Sequence, residues 1–129
     1  MLEPAIRDLA RDKNFASLSV RLPNGQIASH VMWVDADEEH VLINTEVHRA
    51  KFKAMERDPR VTVMIWKLDD PYKYGEVRGV VTDTVHGQEA RDHIDALSQK
   101  YNGTPYTNEI TSARVIVKIT PERQIRRKV

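Results

Sequence analysis

A chain of 129 residues, 40% hydrophobic and 30% charged, has the composition of one folded domain, long enough to bury about two-thirds of its unfolded surface without covalent staples. Twenty Lys and Arg stand against 19 Asp and Glu, a net charge of +1, so a polyanion-coated protein is excluded and any anion site must be a local cluster. With no cysteine there is no disulfide framework, no thiolate nucleophile and no cysteine metal site.

The opening Met-Leu-Glu-Pro-Ala-Ile-Arg-Asp has no basic segment followed by an apolar core, so no secretory signal is expected. No apolar run approaches membrane-spanning length, and a cytoplasmic location is the expectation. Pro4 to Arg11 reads as a short helix, with Leu2, Ile6 and Leu9 on one face and Pro4 tolerated in the first turn. Asp12-Lys13-Asn14 breaks it. Phe15 to Leu22 then alternates, Ala16, Leu18, Val20 and Leu22 against Ser17, Ser19 and Arg21. Pro23-Asn24-Gly25 is a hairpin signal, because Asn-Gly accepts the positive φ of a tight turn. Gln26 to Val34 returns as the partner strand, Asp35 to Glu39 is a polar turn, and His40 to Asn44 is a third strand.

Beyond Asn44 the period changes. A helix of about three turns is expected before Asp58-Pro59, where proline forbids further helix. Thr45 is placed to cap its entry, and His48, Phe52 and Met55 fall on one side. Arg49 and Lys51 fall in the first turn, where orphan backbone N–H groups and the positive end of the helix dipole point. That is a place for an anion, and a phosphate suits it best. Positions i and i+2 do not face each other on a regular helix, so the two cations converge only if the first turn is still a loop or both reach around it.

Arg60 to Leu68 is the most strand-like run of the chain. After Asp69-Asp70-Pro71, Tyr72 to His86 is a long strand in which Gly75 and Gly79 mark bends or bulges. Gln88 to Tyr101 is a second long helix, ended by Asn102-Gly103-Thr104-Pro105. Ala113 to Ile119 is the last strand, and Pro121 opens a basic tail through Arg126-Arg127-Lys128. The whole, residues 1–129, reads as a single mainly β domain, a β-barrel with helices inserted after the third and fifth strands. The Gly-x-Gly-x-x-Gly turn of a doubly wound fold is absent.

Protein-borne chemistry is scarce. There is no Gly-x-Ser-x-Gly elbow, His86 and His93 straddle a strand–helix break, and Asp35, Asp37, Glu38 and Glu39 read as turn residues, so no metal site is expected. Only Arg126-Arg127-Lys128 favours nucleic acid, and at net +1 no nucleic-acid partner is expected. A barrel poor in nucleophiles, with a phosphate-sized basic notch, points to a borrowed cofactor.

The order Leu22-Pro-Asn-Gly25, Val31-Met-Trp33, Arg49-x-Lys51, Asp58-Pro-Arg-Val61, Asp70-Pro-Tyr-Lys-Tyr74, Glu76-Val-Arg-Gly79 and Ala113 to Glu122 resembles the pyridoxamine 5'-phosphate oxidase-like split β-barrel superfamily. More narrowly it resembles the small oxidoreductases that use the deazaflavin coenzyme F420. The resemblance implies a split β-barrel of FMN- or deazaflavin-binding type. It also implies a homodimer whose cofactor sites lie in grooves at the subunit interface. Arg49 and Lys51 match the positions that hold the cofactor phosphate, with Thr45 at the turn beside it. Val31, Met32 and Trp33 match the strand along the ring, and Tyr72 and Tyr74 the segment closing the pocket from the partner. The implied activity is hydride transfer from F420 to a conjugated, electron-poor small molecule. FMN in the same fold, or a non-catalytic cofactor carrier, is the alternative.

Two departures stand out. His30 occupies a position where many relatives carry proline; it reads first as an ordinary strand histidine, and its place beside the ring leaves protonation of a product to either solvent or His30. The longer C-terminal substrate segment of true pyridoxamine phosphate oxidases has no counterpart, so that vitamin reaction is not expected. Trp33 and Trp66 read first as core or interface residues, and Lys53 and Arg57 as solvated helix charges.

Overall fold

The computed structural model describes Met1–Val129. Its elements, in chain order, are α1 (Pro4–Arg11), β1 (Phe15–Arg21), β2 (Ile27–Met32), β3 (Asp35–Ala36), β4 (Val41–Glu46), α2 (Ala50–Arg57), β5 (Arg60–Lys67), β6 (Asp70–Val85), α3 (Gln88–Asn102) and β7 (Arg114–Arg127). All the strand pairings are antiparallel, in one seven-stranded sheet of order β2-β1-β5-β6-β7-β4-β3. The two outermost strands, β2 and β3, are consecutive in the chain and joined only by Trp33-Val34. A sheet whose opposite edges are tied that closely must curl round on itself, and the result is the split β-barrel that the resemblance implies.

The inner face is the core. Ala16, Leu18 and Val20 of β1, Val61, Val63 and Ile65 of β5, Val41 and Ile43 of β4, and Val115, Val117 and Ile119 of β7 are all buried there. Helix α1 adds Ile6 and Leu9 to this cluster, with Leu2 just ahead of it, and α2 adds Phe52, Ala54 and Met55. Helix α3 instead packs outside the barrel, where Ile94, Leu97 and Tyr101 gather Phe15, Trp33 and Tyr106.

The split in the barrel is stitched by two side chains of α3. The Tyr101 hydroxyl donates to the Asn14 carbonyl and accepts from Val34 N at 3.1 Å. Lys100 Nζ donates to the Val34 carbonyl at 2.6 Å and to that of Ala10 at 3.0 Å. Burial pushes the Tyr101 phenol up to about 12. Burial also lowers the Lys100 ammonium below its ordinary value, against the opposing pull of Asp35 and Asp12.

Three readings of the sequence need correction. Strand β7 does not stop at Ile119 but continues through Pro121 to Arg127. The register of β6 against β7 shifts between Arg78 and Gly79, and Pro121 lies opposite Gly79 at that bulge, where its missing N–H is least costly. Arg126 and Arg127 are therefore ladder residues rather than a tail, and Arg126 Nε lies 3.3 Å from Glu3 Oε2. Asp35–Ala36 is a short strand, where a simple turn was expected. Gly75, read as a bend, pairs in regular register. Its missing Cβ makes room for α1, since a Cβ there would lie 2.9 Å from Ile6 Cγ1.

Gly79 is tighter still. A Cβ at this position would overlap the carbonyl oxygen of Thr120, a backbone atom with no rotamer to escape by. No helix of the chain is long and apolar enough to cross a membrane.

Candidate functional site

The site begins where β4 gives way to α2. The β4–β7 ladder runs on to the pair Glu46–Arg114, and Val47 N still donates to Ala113 O at 3.0 Å. Thr45 is consequently a mid-strand residue opposite Val115, 4% exposed, and it does not cap the helix. The cap position belongs to Arg49, in extended conformation (φ −66°, ψ 141°) and without any side-chain cap bond. His48 also precedes the helix and is not part of its face. With no cap, and with no backbone acceptor for the N–H groups of Ala50 and Lys51, the start of α2 presents unpaired donors.

Cations crowd this spot. The Arg49 side chain is 52% exposed, and its nearest carboxylate, Glu46 Oε2, is 3.7 Å away. Lys51 is half-buried, and its ammonium has one hydrogen-bond partner, the thioether of Met32 at 3.2 Å. A thioether is a poor acceptor for a full charge. Burial, and then the neighbouring charges of Arg49 and Arg114, hold the Lys51 pKa below its ordinary value. His30 lies beside it on β2. Burial and the Lys51 charge lower the pKa of this imidazole, and its Nδ1 is sealed from solvent without a partner.

Glu46 is the counterweight. Its buried carboxylate accepts from Thr111 N at 2.8 Å and Ser112 N at 3.2 Å, which pins the loop before β7 against the start of α2. Burial alone would raise its pKa. The backbone donors of Ser112 and Thr111 and the charges of Arg114 and His48 outweigh that and keep it ionised below the usual carboxylate range. One buried carboxylate thus stands beside Arg49 and Arg114, while the Lys51 charge feels both of those cations. Removing a cation from such a cluster relieves repulsion, and adding an anion does so better.

The residues singled out from the sequence fall into two groups. Met32, His30, Arg49 and Lys51 come together at the mouth of the barrel, with His30 and Met32 opposite the inward-facing Leu18 and Ala16 of β1. Val31 lies on the outer face of the sheet, in one row with Ser17, Met64 and Glu76, and is 69% exposed. Tyr74 is on that face in the next row, opposite Trp66. Tyr72, also on β6, is 76% exposed. Trp33 has left β2 and stacks on Tyr101 of α3, with ring centroids 5.1 Å apart and planes 5° from parallel. Val31 and Tyr74 thus lie on the opposite face of the sheet from His30 and Met32.

Two participants escaped the sequence. Glu46 and Arg114 belong to the cluster through cross-strand pairing, which no local pattern carries. The only signal was chemical: each ends a buried β-branched run with a charge, which a strand in a core tolerates only when it is paired.

The same arrangement of strands and helices recurs in known proteins. The sequence profile of the pyridoxamine 5'-phosphate oxidase family matches residues 2–126. No curated protein matches the chain. Among solved structures, an F420 reductase is 25% identical over 96% of this chain and 98% of its own, with a TM-score of 0.77. A conserved hypothetical protein from Mycobacterium tuberculosis is 25% identical over 96% of this chain and 82% of its own, with a TM-score of 0.74. The general stress protein 26 of Bacillus anthracis shares the fold at 18% identity, over 92% of this chain and 88% of its own, with a TM-score of 0.68.

Proposed function

The chain belongs to the pyridoxamine 5'-phosphate oxidase family, and from that membership we propose that it is an oxidoreductase using the deazaflavin coenzyme F420. The observation that carries the reading is Lys51: a half-buried ammonium at an uncapped helix start, with only a thioether for company. A cation desolvated without a partner is costly, and a cofactor phosphate is the partner it lacks. Arg49, Lys51 and the free N–H groups of Ala50 and Lys51 fit such a group. The likeness to an F420 reductase at 25% identity favours the deazaflavin over FMN. FMN would meet the same phosphate notch and is the second reading.

When bound, the reduced deazaflavin supplies a hydride for a conjugated, electron-poor substrate. The residues of this chain then bind, orient and exclude water, with Met32 and His30 flanking the notch. His30, whose pKa burial and the Lys51 charge lower, lies beside the notch and is the chain's candidate for exchanging a proton.

In this reading a second copy of the chain completes the groove. Val31, Met64 and Tyr72 leave large apolar side chains exposed, as a surface awaiting a partner does. A homodimer burying more than about 1,000 Å² in all brings Tyr72 and Tyr74 of one protomer over the notch of the other. Tyr72→Ala and Tyr74→Ala should then each weaken cofactor binding by about 1–2 kcal/mol while leaving folding intact, and sedimentation should report a dimer. A stable monomer that binds with unchanged affinity in both variants would remove the tyrosines from the site.

The function itself is tested by titrating the purified protein with F420 and with FMN side by side. Tighter binding of F420, followed by oxidation of its reduced form by an electron-poor enone, supports the proposal. Tighter binding of FMN, with a yellow protein on purification, selects the second reading, and binding of neither overturns both.

A further inference from the structure

A chain of polar side chains, buried at Arg114 and Asn44 and partly exposed at His93 and Asp35, leads away from the notch, and binding of a phosphate by Arg49 and Lys51 leaves it unexplained. Arg114 opens β7 and is 8% exposed. Its Nε donates to Asn44 Oδ1 at 2.8 Å. That bond fixes the orientation of the Asn44 amide, so its Nδ2 is the donor to the Ala90 carbonyl at 2.9 Å and to His93 Nδ1 at 3.0 Å. His93 Nδ1 is therefore an acceptor. The ring proton lies on Nε2, which faces Asp35 Oδ2 at 3.1 Å. Every member has a defined direction, from Arg114 on β7 through Asn44 on β4 and His93 on α3 to Asp35 on β3.

A directional, satisfied network of this kind rigidifies the groups that belong to it. What it fixes is the guanidinium of Arg114. Only Nε is used in the network. The two terminal nitrogens have no carboxylate or carbonyl acceptor and are not sealed from solvent; their polar neighbour is the Tyr106 side chain, whose hydroxyl is the one acceptor beside them and whose ring lies 5.3 Å from the guanidinium carbon. The charge lies beside the same notch, opposite Glu46 in the ladder. It is close enough to disfavour the charged form of Lys51 and to feel Arg49 in turn. The planar fork, with its inner nitrogen tied down, leaves its outer edge to an oxyanion.

We propose that Arg114 is a third anion-binding residue of the notch at the start of α2, held in position by Asn44, His93 and Asp35. Arg114 is the binding residue, and the other three are positioning residues. The inference rests on the phosphate reading of Arg49 and Lys51 and extends it to a residue on another strand. It also accounts for the polar Asn44 in an otherwise apolar strand, and for the place of His93 in a helix face that is elsewhere Ala90, Ile94 and Leu97.

The test uses inorganic phosphate as probe, titrated into the full chain and followed by ³¹P NMR. Arg114→Ala should raise the phosphate dissociation constant about tenfold, a loss comparable to that of Arg49→Ala. His93→Leu should raise it roughly three- to tenfold, because Asn44 is then free to turn and Arg114 loses its anchor. His93→Gln should restore it to within about twofold, since a glutamine oxygen accepts from Asn44 while its amide donates to Asp35. In ¹⁵N spectra the Arg114 Nε–H resonance should be sharp in wild type and His93→Gln, and broadened in His93→Leu. Should Arg114→Ala fail to fold, the two His93 variants decide. Equal affinity across wild type, Arg114→Ala and both His93 variants, with Arg49→Ala and Lys51→Ala still impaired, overturns this inference alone. Phosphate affinity unaffected by any of these variants, Arg49→Ala and Lys51→Ala included, overturns the phosphate reading as well.

Discussion

Arg49→Ala and Lys51→Ala should each raise the dissociation constant of F420 about ten- to a hundredfold, with little change in the melting temperature of the free protein. Each side chain contributes a charge-assisted hydrogen bond to a phosphate, worth about 1.5–3 kcal/mol when truncated. Neither contributes to folding in proportion. Lys51 is desolvated beside Arg49 and Arg114, and a cation in the first turn opposes the helix dipole, so its removal should leave the apo protein as stable or slightly more so. The double variant should lose less than the sum, because one phosphate answers to both charges. Arg49→Lys should still weaken binding, as an ammonium lacks the planar fork. A phosphate-free cofactor fragment should bind wild type and variants alike. If the variants weaken that fragment equally, the damage is general and the phosphate assignment fails.

Gly79→Ala should be the most damaging single methyl in the chain, at about 3 kcal/mol, a fall of roughly 10 °C in Tm for a domain of this size. The added Cβ would overlap the Thr120 carbonyl oxygen and stand 3.0 Å from Ile119 Cγ2. Relief would require β6 and β7 to part at the bulge that accommodates Pro121. Gly25→Ala supplies the comparison. Gly25 has φ of +87°, but a methyl there would meet no atom within 4 Å, so only backbone strain opposes it, about 1 kcal/mol. Chemical denaturation of both variants should show this threefold contrast. Similar losses at the two sites would mean that the bulge yields.

The sequence patterns most faithful to the fold were those with a local cause. Alternation in Phe15–Arg21 and Arg60–Lys67 was legible because each strand has one face in the core and the other on the outer surface. Lys51 was legible as a first-turn cation, whereas Arg49, expected in the same turn, is the extended cap residue ahead of it. What could not be read depends on partners distant in the chain. Thr45 has the chemistry of a cap, yet Val115 and Arg114 extend the ladder past it to Glu46. Pro121 has the chemistry of a terminator, yet a bulge beside it, where β7 carries the extra residue Glu122 between the partners of Gly79 and Arg78, lets the strand continue past it. The division of Val31, Met32 and Trp33 between the two sides of the sheet follows from the pleat and from the early end of β2, which local composition does not mark.

The position of β4 in the sheet has a consequence for the nascent chain. Its only ladder partners are the two residues of β3 and the final strand, β7. On the ribosome, β1, β2, β5 and β6 can zip together as they emerge, while Val41–Glu46 must wait for Arg114–Ile119 to leave the exit tunnel. At roughly 5–20 residues per second that leaves an apolar strand edge unclaimed for several seconds. During that interval the chain is an open trough with Val41 and Ile43 on its rim, the form in which it is most exposed to aggregation and most in need of a holdase.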